Sequence, residues 1–240
     1  SLPEPQLQPV KQHAIDLIIE KVMASPREIT LVTVGPLTNI AMALRKEPRL
    51  AEYAREVVMM GGALRVPGNV TPESEFNIFA DPHAAHMVFH AGWPMRLVTL
   101  DVTQKTLLER ERVQELASNY NPITRLIQQM VENFLNTFGL PRGITAFQMH
   151  DPLCLAAAFQ PEIITWEPAY VDVEIASSLT LGETVAYFSN LAEDLDPSLE
   201  HLHAPNMLAS VGVDVERFIT MFVDRIRSTF GFDKPTAYKL

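Results

Sequence analysis

Cysteine is nearly absent from this sequence: a single one, Cys154, occurs in 240 residues. A lone cysteine excludes an internal disulfide framework, and it suits a reducing compartment, so a cytoplasmic location is expected. Positive charge is also short. The 19 Lys and Arg stand against 29 Asp and Glu, for a net charge of −10, and basic residues gather no further than pairs such as Arg45-Lys46. With no basic face to neutralise phosphates, nucleic acid is not expected as a partner. Long apolar runs are missing as well. The longest, Leu153 to Phe159, falls far short of the roughly 20 residues that span a bilayer. The opening SLPEPQLQP has no apolar signal core, so neither membrane association nor export is expected.

What is present is ample apolar material, 47% hydrophobic against 20% charged, with no biased tract, repeat or linker. One domain over 1–240 is expected. Val10, Ala14, Leu17, Ile18 and Val22 recur at helical spacing. Ser25-Pro26 stops that helix, ITLVTV (Ile29 to Val34) reads as a short buried strand, and Gly35-Pro36 opens a helix carrying Leu37, Ile40, Ala41 and Leu44. VVMM (Val57 to Met60) and MRLVTL (Met95 to Leu100) repeat the strand signal, the first followed by Gly61-Gly62 and a long loop to a helix begun by Asp81-Pro82. Such alternation predicts an α/β fold with a mostly parallel sheet flanked by helices, and ligands at the carboxyl ends of its strands. The loops after Val34, Met60 and Leu100 are therefore the place to look.

Two scaffold helices are expected between Glu109 and Thr137, broken at Asn121-Pro122. FGLPRGITAFQM (Phe138 to Met149) reads as a lid loop before a helix opened by Asp151-Pro152. Ile163 to Trp166, Ala169 to Ile175 and Thr184 to Phe188 read as shorter strands, and Val213 to Ile226 as a closing amphipathic helix.

Three groups of residues carry chemistry. Asn69, Glu75 and Asn77 fall within nine positions, and an extended segment aims Glu75 and Asn77 to one side with Phe76 opposite. A carboxylate beside amides offers acceptors and donors together, as vicinal hydroxyls require. The plain alternative is a solvated loop. His150 beside Asp151-Pro152 pairs a proton donor with a carboxylate, although Asp-Pro alone is an ordinary helix start. His83, His86 and His90, three and four apart, suggest a metal face, but no carboxylate is placed to complete it and the segment reads as surface. Met59 and Met60 are first of all core fillers, and Cys154 a buried small hydrophobe.

TVGPLTNIAMAL, MMGGA, GNVTPESEFNIFADPHAA and HDPL, in this order and at these separations, resemble the calcium-dependent nucleoside hydrolases, the inosine-uridine preferring N-ribohydrolase family. The resemblance runs from about Ile29 to the VDVERF helix. It implies hydrolysis of the N-glycosidic bond of a small-molecule nucleoside to ribose and free base, with a Ca2+-activated water. The main-chain carbonyl of Val34 and a carboxylate oxygen of Asp151 are implied Ca2+ ligands. Asn69, Glu75, Asn77 and Asp151 are implied to bind substrate, with Met60 lining the sugar pocket, Phe76 bordering the base and His150 protonating the leaving base. Arg142 and Phe138 fall in what the family uses as a loop over the site. A homodimer or homotetramer is implied, and His150 favours inosine and uridine over purines alone.

One part of the family pattern is not found before Val34: a strand ending in Asp-x-Asp-x-x-x-Asp-Asp, which supplies most calcium ligands and the general base. The expectation is a chain truncated at its N-terminus and lacking the first strand, inactive by itself. Asp194 and Asp196, with Glu200 and His201 beyond, read as a solvated acidic loop between two C-terminal strands rather than a relocated site. The alternative function is a noncatalytic nucleoside or ribose binder, which does without the acidic cluster.

Overall fold

Short β-branched runs closed off by glycine and proline form the strands of this protein, and the apolar stripes between them form helices. The computed structural model describes residues 7–117, 122–188 and 204–230. The chain divides into two compact units. One takes residues 12–103 and 150–213, the other the described residues within 1–11, 104–149 and 214–240.

The first unit opens with α1 (Ala14–Ala24), β1 (Thr30–Thr33), α2 (Thr38–Lys46), α3 (Leu50–Tyr53) and β2 (Glu56–Met60). It continues with α4 (Phe76–Ala80), α5 (Pro82–Phe89), β3 (Met95–Val98) and α6 (Leu100–Thr103). The second unit contributes β4 (Leu107–Leu108), α7 (Arg110–Ala117), α8 (Pro122–Phe134) and β5 (Phe147–Gln148). The chain then returns to the first unit for α9 (His150–Phe159), β6 (Ile164–Val173), β7 (Thr184–Phe188) and β8 (Met207–Val213), and ends its described part in α10 (Val215–Phe230) of the second.

The first unit is built on a six-stranded sheet in the order β1-β2-β3-β8-β6-β7. β1, β2, β3 and β8 are mutually parallel, with Val32 opposite Val58 and Met59 opposite Leu97, while β6 runs antiparallel to both β8 and β7. The mostly parallel sheet expected from the sequence is thus present. Val57 and Met59 of β2 and Met95 and Leu97 of β3 share one buried cluster with Val22 of α1, Leu37 and Ile40 of α2, and Val88 and Phe89 of α5. α9 packs against β1 and β2, with Cys154 Sγ 3.7 Å from the Val58 carbonyl. β2 is buried along nearly its whole length, which is why VVMM runs apolar without alternation, whereas ITLVTV forms the edge strand β1 and is only half-buried up to Thr33.

Several elements depart from the sequence reading. Val10 lies before α1, which starts at Ala14 behind His13, whose ring accepts from Ile15 N. The runs at Ile163 to Trp166 and Ala169 to Ile175 are one strand, β6, with a register shift at Thr165/Trp166. Pro168 lies within it opposite Leu208 of β8, and among the described residues the pairing with β7 begins at Ala169. The strand beyond the acidic segment, β8, inserts between β3 and β6. Asp194, Asp196, Glu200 and His201 lie outside the described residues.

In the second unit, β4 and β5 pair antiparallel, and α10 packs against α7, α8 and β4. Phe138 lies in a π-helical turn, Leu135–Gly139, and touches Phe134 with ring centroids 6.0 Å apart. Arg142 ends the 3-10 turn Leu140–Arg142, so part of the expected lid segment has regular backbone structure. Among the described residues, no helix is long and apolar enough to cross a membrane.

Candidate active site

The loop leaving β2 is held in place by polar side chains of β7 and α6. Gly62 adopts a φ of +77°, open to glycine without strain, and Thr184 of β7 bonds both Ala63 N and Ala63 O. Asp101, in α6 just past β3, accepts from Leu64 N at 2.9 Å and Arg65 N at 2.8 Å. Gly68 folds so tightly that a Cβ there would fall 2.2 Å from the Ser74 carbonyl oxygen. These contacts fix the path of the chain to Glu75.

Glu75 is the N-cap of α4, and this corrects the expected geometry. Glu75 has extended backbone, but Phe76–Ala80 is helical, so Glu75 and Asn77 do not project from one extended wall. The reason is local: the Glu75 carboxylate takes the N–H groups of Asn77 and Ile78 that a helix start leaves unpaired, which favours turning over extension. The same oxygen, Oε2, accepts Gly62 N at 3.2 Å. No bond falls on Oε1 among the described residues.

Asn77 and Asn69 are anchored at one end each. Asn77 Nδ2 donates to the Met60 carbonyl at 3.2 Å, with Met60 Sδ at 3.4 Å, which turns Asn77 Oδ1 away from the strand end. Asn69 Oδ1 accepts Phe76 N at 2.9 Å, leaving its Nδ2 as a donor. Met60 is buried, whereas the Phe76 ring is exposed. The group therefore offers one amide donor and two acceptors around the end of β2, the complement of a pair of neighbouring hydroxyls.

α9 starts at His150, so Asp151 lies inside its first turn rather than at its N-cap. His150 Nδ1 lies 2.7 Å from Thr103 Oγ1. Burial pushes the His150 imidazolium below the usual histidine range and the Asp151 carboxyl above the usual carboxylate range. Glu75 is only 2% exposed, and burial raises its carboxyl too. Its N–H partners at Asn77, Gly62 and Ile78 pull the other way, and the charge of Asp151 pushes it further up. That coupling brings the starts of α4 and α9 within electrostatic reach of each other.

Val34 follows the end of β1 and is exposed. Beside it, Thr33 Oγ1 is buried without a hydrogen-bond partner among the described residues. Sequence reasoning passes over Thr33, because a threonine in a β-branched run reads as a strand former. It also passes over Thr103, Asp101 and Thr184; the loop after Leu100 is expected to matter, but nothing local singles out these residues. Arg142 belongs to the second unit.

The inosine-uridine preferring nucleoside hydrolase family matches residues 1–220 of this chain. The chain belongs to that family. It is 39% identical to the inosine-uridine preferring nucleoside hydrolase of Crithidia fasciculata over 220 residues, 90% of this chain and 66% of that protein. It is 34% identical over 227 residues to a pyrimidine-specific ribonucleoside hydrolase, RihA, of Shewanella sp. (strain MR-7), covering 94% of this chain and 68% of that one. The chain thus spans about two thirds of the length of these curated relatives. Among solved structures, the purine-preferring ribonucleoside hydrolase from Gardnerella vaginalis superposes with a TM-score of 0.84 at 30% identity, over 95% of this chain and 69% of that one. An inosine-guanosine nucleoside hydrolase superposes with a TM-score of 0.79 at 26% identity, over 94% and 71% of the two chains. Nucleoside hydrolases of several base preferences therefore share this sheet.

Proposed function

We propose that the protein hydrolyses the N-glycosidic bond of ribonucleosides of the inosine and uridine type, giving ribose and the free base. The observation that carries this reading is the arrangement of Glu75, Asn77 and Asn69 at the end of β2, each with one polar atom committed to the backbone and another left over. Breaking a ribosyl C–N bond develops positive charge at the anomeric carbon. Hydroxyls held by a buried carboxylate and fixed amides let that charge grow in a set orientation. The water adds its oxygen to the anomeric carbon and releases a proton to solvent, while the base departs with the bonding electron pair and takes a proton from the imidazolium form of His150.

Ca2+, when bound, would polarise the attacking water. The Val34 carbonyl and the Asp151 carboxylate would hold it, and the orphaned Thr33 hydroxyl beside Val34 adds a further hard oxygen nearby. These donors fit Ca2+ in kind, but about six to eight oxygens complete its shell. Weak Ca2+ binding by this chain is therefore expected, with ribose release from inosine slow or undetectable on these donors alone. Cytoplasmic location goes with the same reading, since a buried, unpaired Cys154 suits a reducing compartment.

Calorimetric titration with ribose and inosine, with and without Ca2+, tests the reading. Binding of both ligands, weakened at least tenfold by Asn77→Ala, is expected; a chain that binds neither overturns it. The noncatalytic alternative rests on the same short set of calcium donors, and it predicts binding indifferent to Ca2+. In any form of the protein that turns over inosine, His150→Ala is expected to slow inosine hydrolysis by about a hundredfold or more while sparing p-nitrophenyl riboside, whose leaving group needs no proton. Equal losses on both substrates remove His150 from the acid role.

A further inference from the structure

His86 in α5 and His90, the residue that caps its C-terminal end, sit one turn apart with no acidic residue between them in sequence. The fold supplies one from β6. Asp172 Oδ1 lies 2.8 Å from His86 Nδ1 and Asp172 Oδ2 3.6 Å from His90 Nε2. One ligand atom from each of the three residues falls within 4.8 Å of the others. The missing carboxylate of the sequence reading is thus found, 86 residues downstream of His86. His83, on the same helix, is exposed and takes no part.

The protons of this cluster are constrained. His90 Nδ1 lies 2.8 Å from the His86 carbonyl, which can only accept, so Nδ1 carries the hydrogen and a neutral ring presents a bare lone pair at Nε2. That lone pair faces Asp172 Oδ2, which is also an acceptor. The Tyr170 hydroxyl is 3.2 Å from His90 Nε2 and 3.3 Å from Asp172 Oδ2, and it has one hydrogen for two acceptors. A histidine whose outer N–H is tied to a carbonyl while its inner nitrogen meets a carboxylate is oriented as metal-ligating histidines are.

We propose that His86, His90 and Asp172 bind one divalent transition-metal ion of the Zn2+ class. His86 Nδ1, His90 Nε2 and an Asp172 oxygen are the ligands, and the ion takes the place of the hydrogen now shared between His86 and Asp172, which moves to His86 Nε2. The three side chains are 36%, 34% and 32% exposed, so solvent reaches the cluster and water completes the coordination. Two imidazoles select Zn2+, Co2+, Ni2+ or Cu2+ over Ca2+ and Mg2+, which prefer oxygen throughout. The bound ion would tie α5 to β6, independently of any catalytic reading of the protein.

The test uses the purified chain stripped of metal with a chelator and titrated with Co2+, reading its visible absorption and the melting temperature. Expected are saturation at one equivalent, displacement by Zn2+, resistance to millimolar Ca2+ and a rise in melting temperature. His90→Gln and Asp172→Asn should each lower affinity at least tenfold, while His83→Gln leaves it unchanged. Absence of stoichiometric Co2+ binding by the parent chain overturns the proposal whatever the variants do. Binding that persists in folded His90→Gln and Asp172→Asn, as judged by circular dichroism, overturns it too.

Discussion

Glu75 accepts the backbone N–H of Gly62, thirteen residues upstream, through the same carboxylate oxygen that caps α4. One buried atom thereby joins the end of β2 to the start of the next helix. Because burial, helped by Asp151, raises this carboxyl, the folded protein holds the proton more tightly than the unfolded chain. The stability due to this group is therefore complete below the unfolded pKa and is lost as pH rises through the folded value. Glu75→Gln keeps an acceptor oxygen without the charge. Its melting temperature should gain on the parent as pH rises above the usual carboxylate range of about 4. A difference that stays flat with pH would mean that Glu75 titrates alike in both states.

His150 shifts in the opposite sense. Burial lowers its pKa, so the imidazole is neutral near pH 7, and its contribution to stability is present above the unfolded pKa and lost as pH falls through the folded value. Nitrogen NMR should find the ring still mostly neutral at about pH 6.5, where a free histidine is half protonated. In the neutral ring Nε2 carries the hydrogen only if the Thr103 hydroxyl donates to Nδ1, and the ring acts as an acid only once protonated. Thr103→Val should then move the proton to Nδ1, a change the same spectra report.

Cys154 is buried in α9, and burial drives its thiol up to about 12. The thiolate is the reactive species. Ellman's reagent should therefore leave the native protein essentially unmodified and label one thiol on unfolding in guanidinium. Fast labelling of native protein would place Cys154 in an open environment.

Arg96 of β3 donates through Nε and Nη2 to Glu56 of β2, at 2.9 and 2.7 Å, and through Nη1 to the Ala157 carbonyl of α9 at 3.0 Å. The two side chains are only 11% and 17% exposed. Glu56→Ala strands a buried guanidinium and should cost about 3 kcal/mol in urea unfolding. Glu56→Gln, which keeps an acceptor, should cost less.

Sequence by itself determined what depends on near neighbours in the chain. The apolar runs at Ile29, Val57 and Met95 became parallel strands, and Asp81-Pro82 and Asp151-Pro152 marked helix starts, because strand burial and helix initiation are written within a few residues. Asn69, Glu75 and Asn77 were legible as a polar group for the same reason, although the turn that Glu75 caps was not, since α4 is only five residues long, too short to show a helical period. What only the tertiary structure decided are pairings across long separations. Thr103 meets His150, Asp101 clamps the loop at Leu64, β8 slips between β3 and β6, and Asp172 completes the histidine pair of α5. Each requires the sheet to be assembled first, because a hydrogen bond or ligand contact acts over about 3 Å and nothing in the local sequence records which distant strand will come that close.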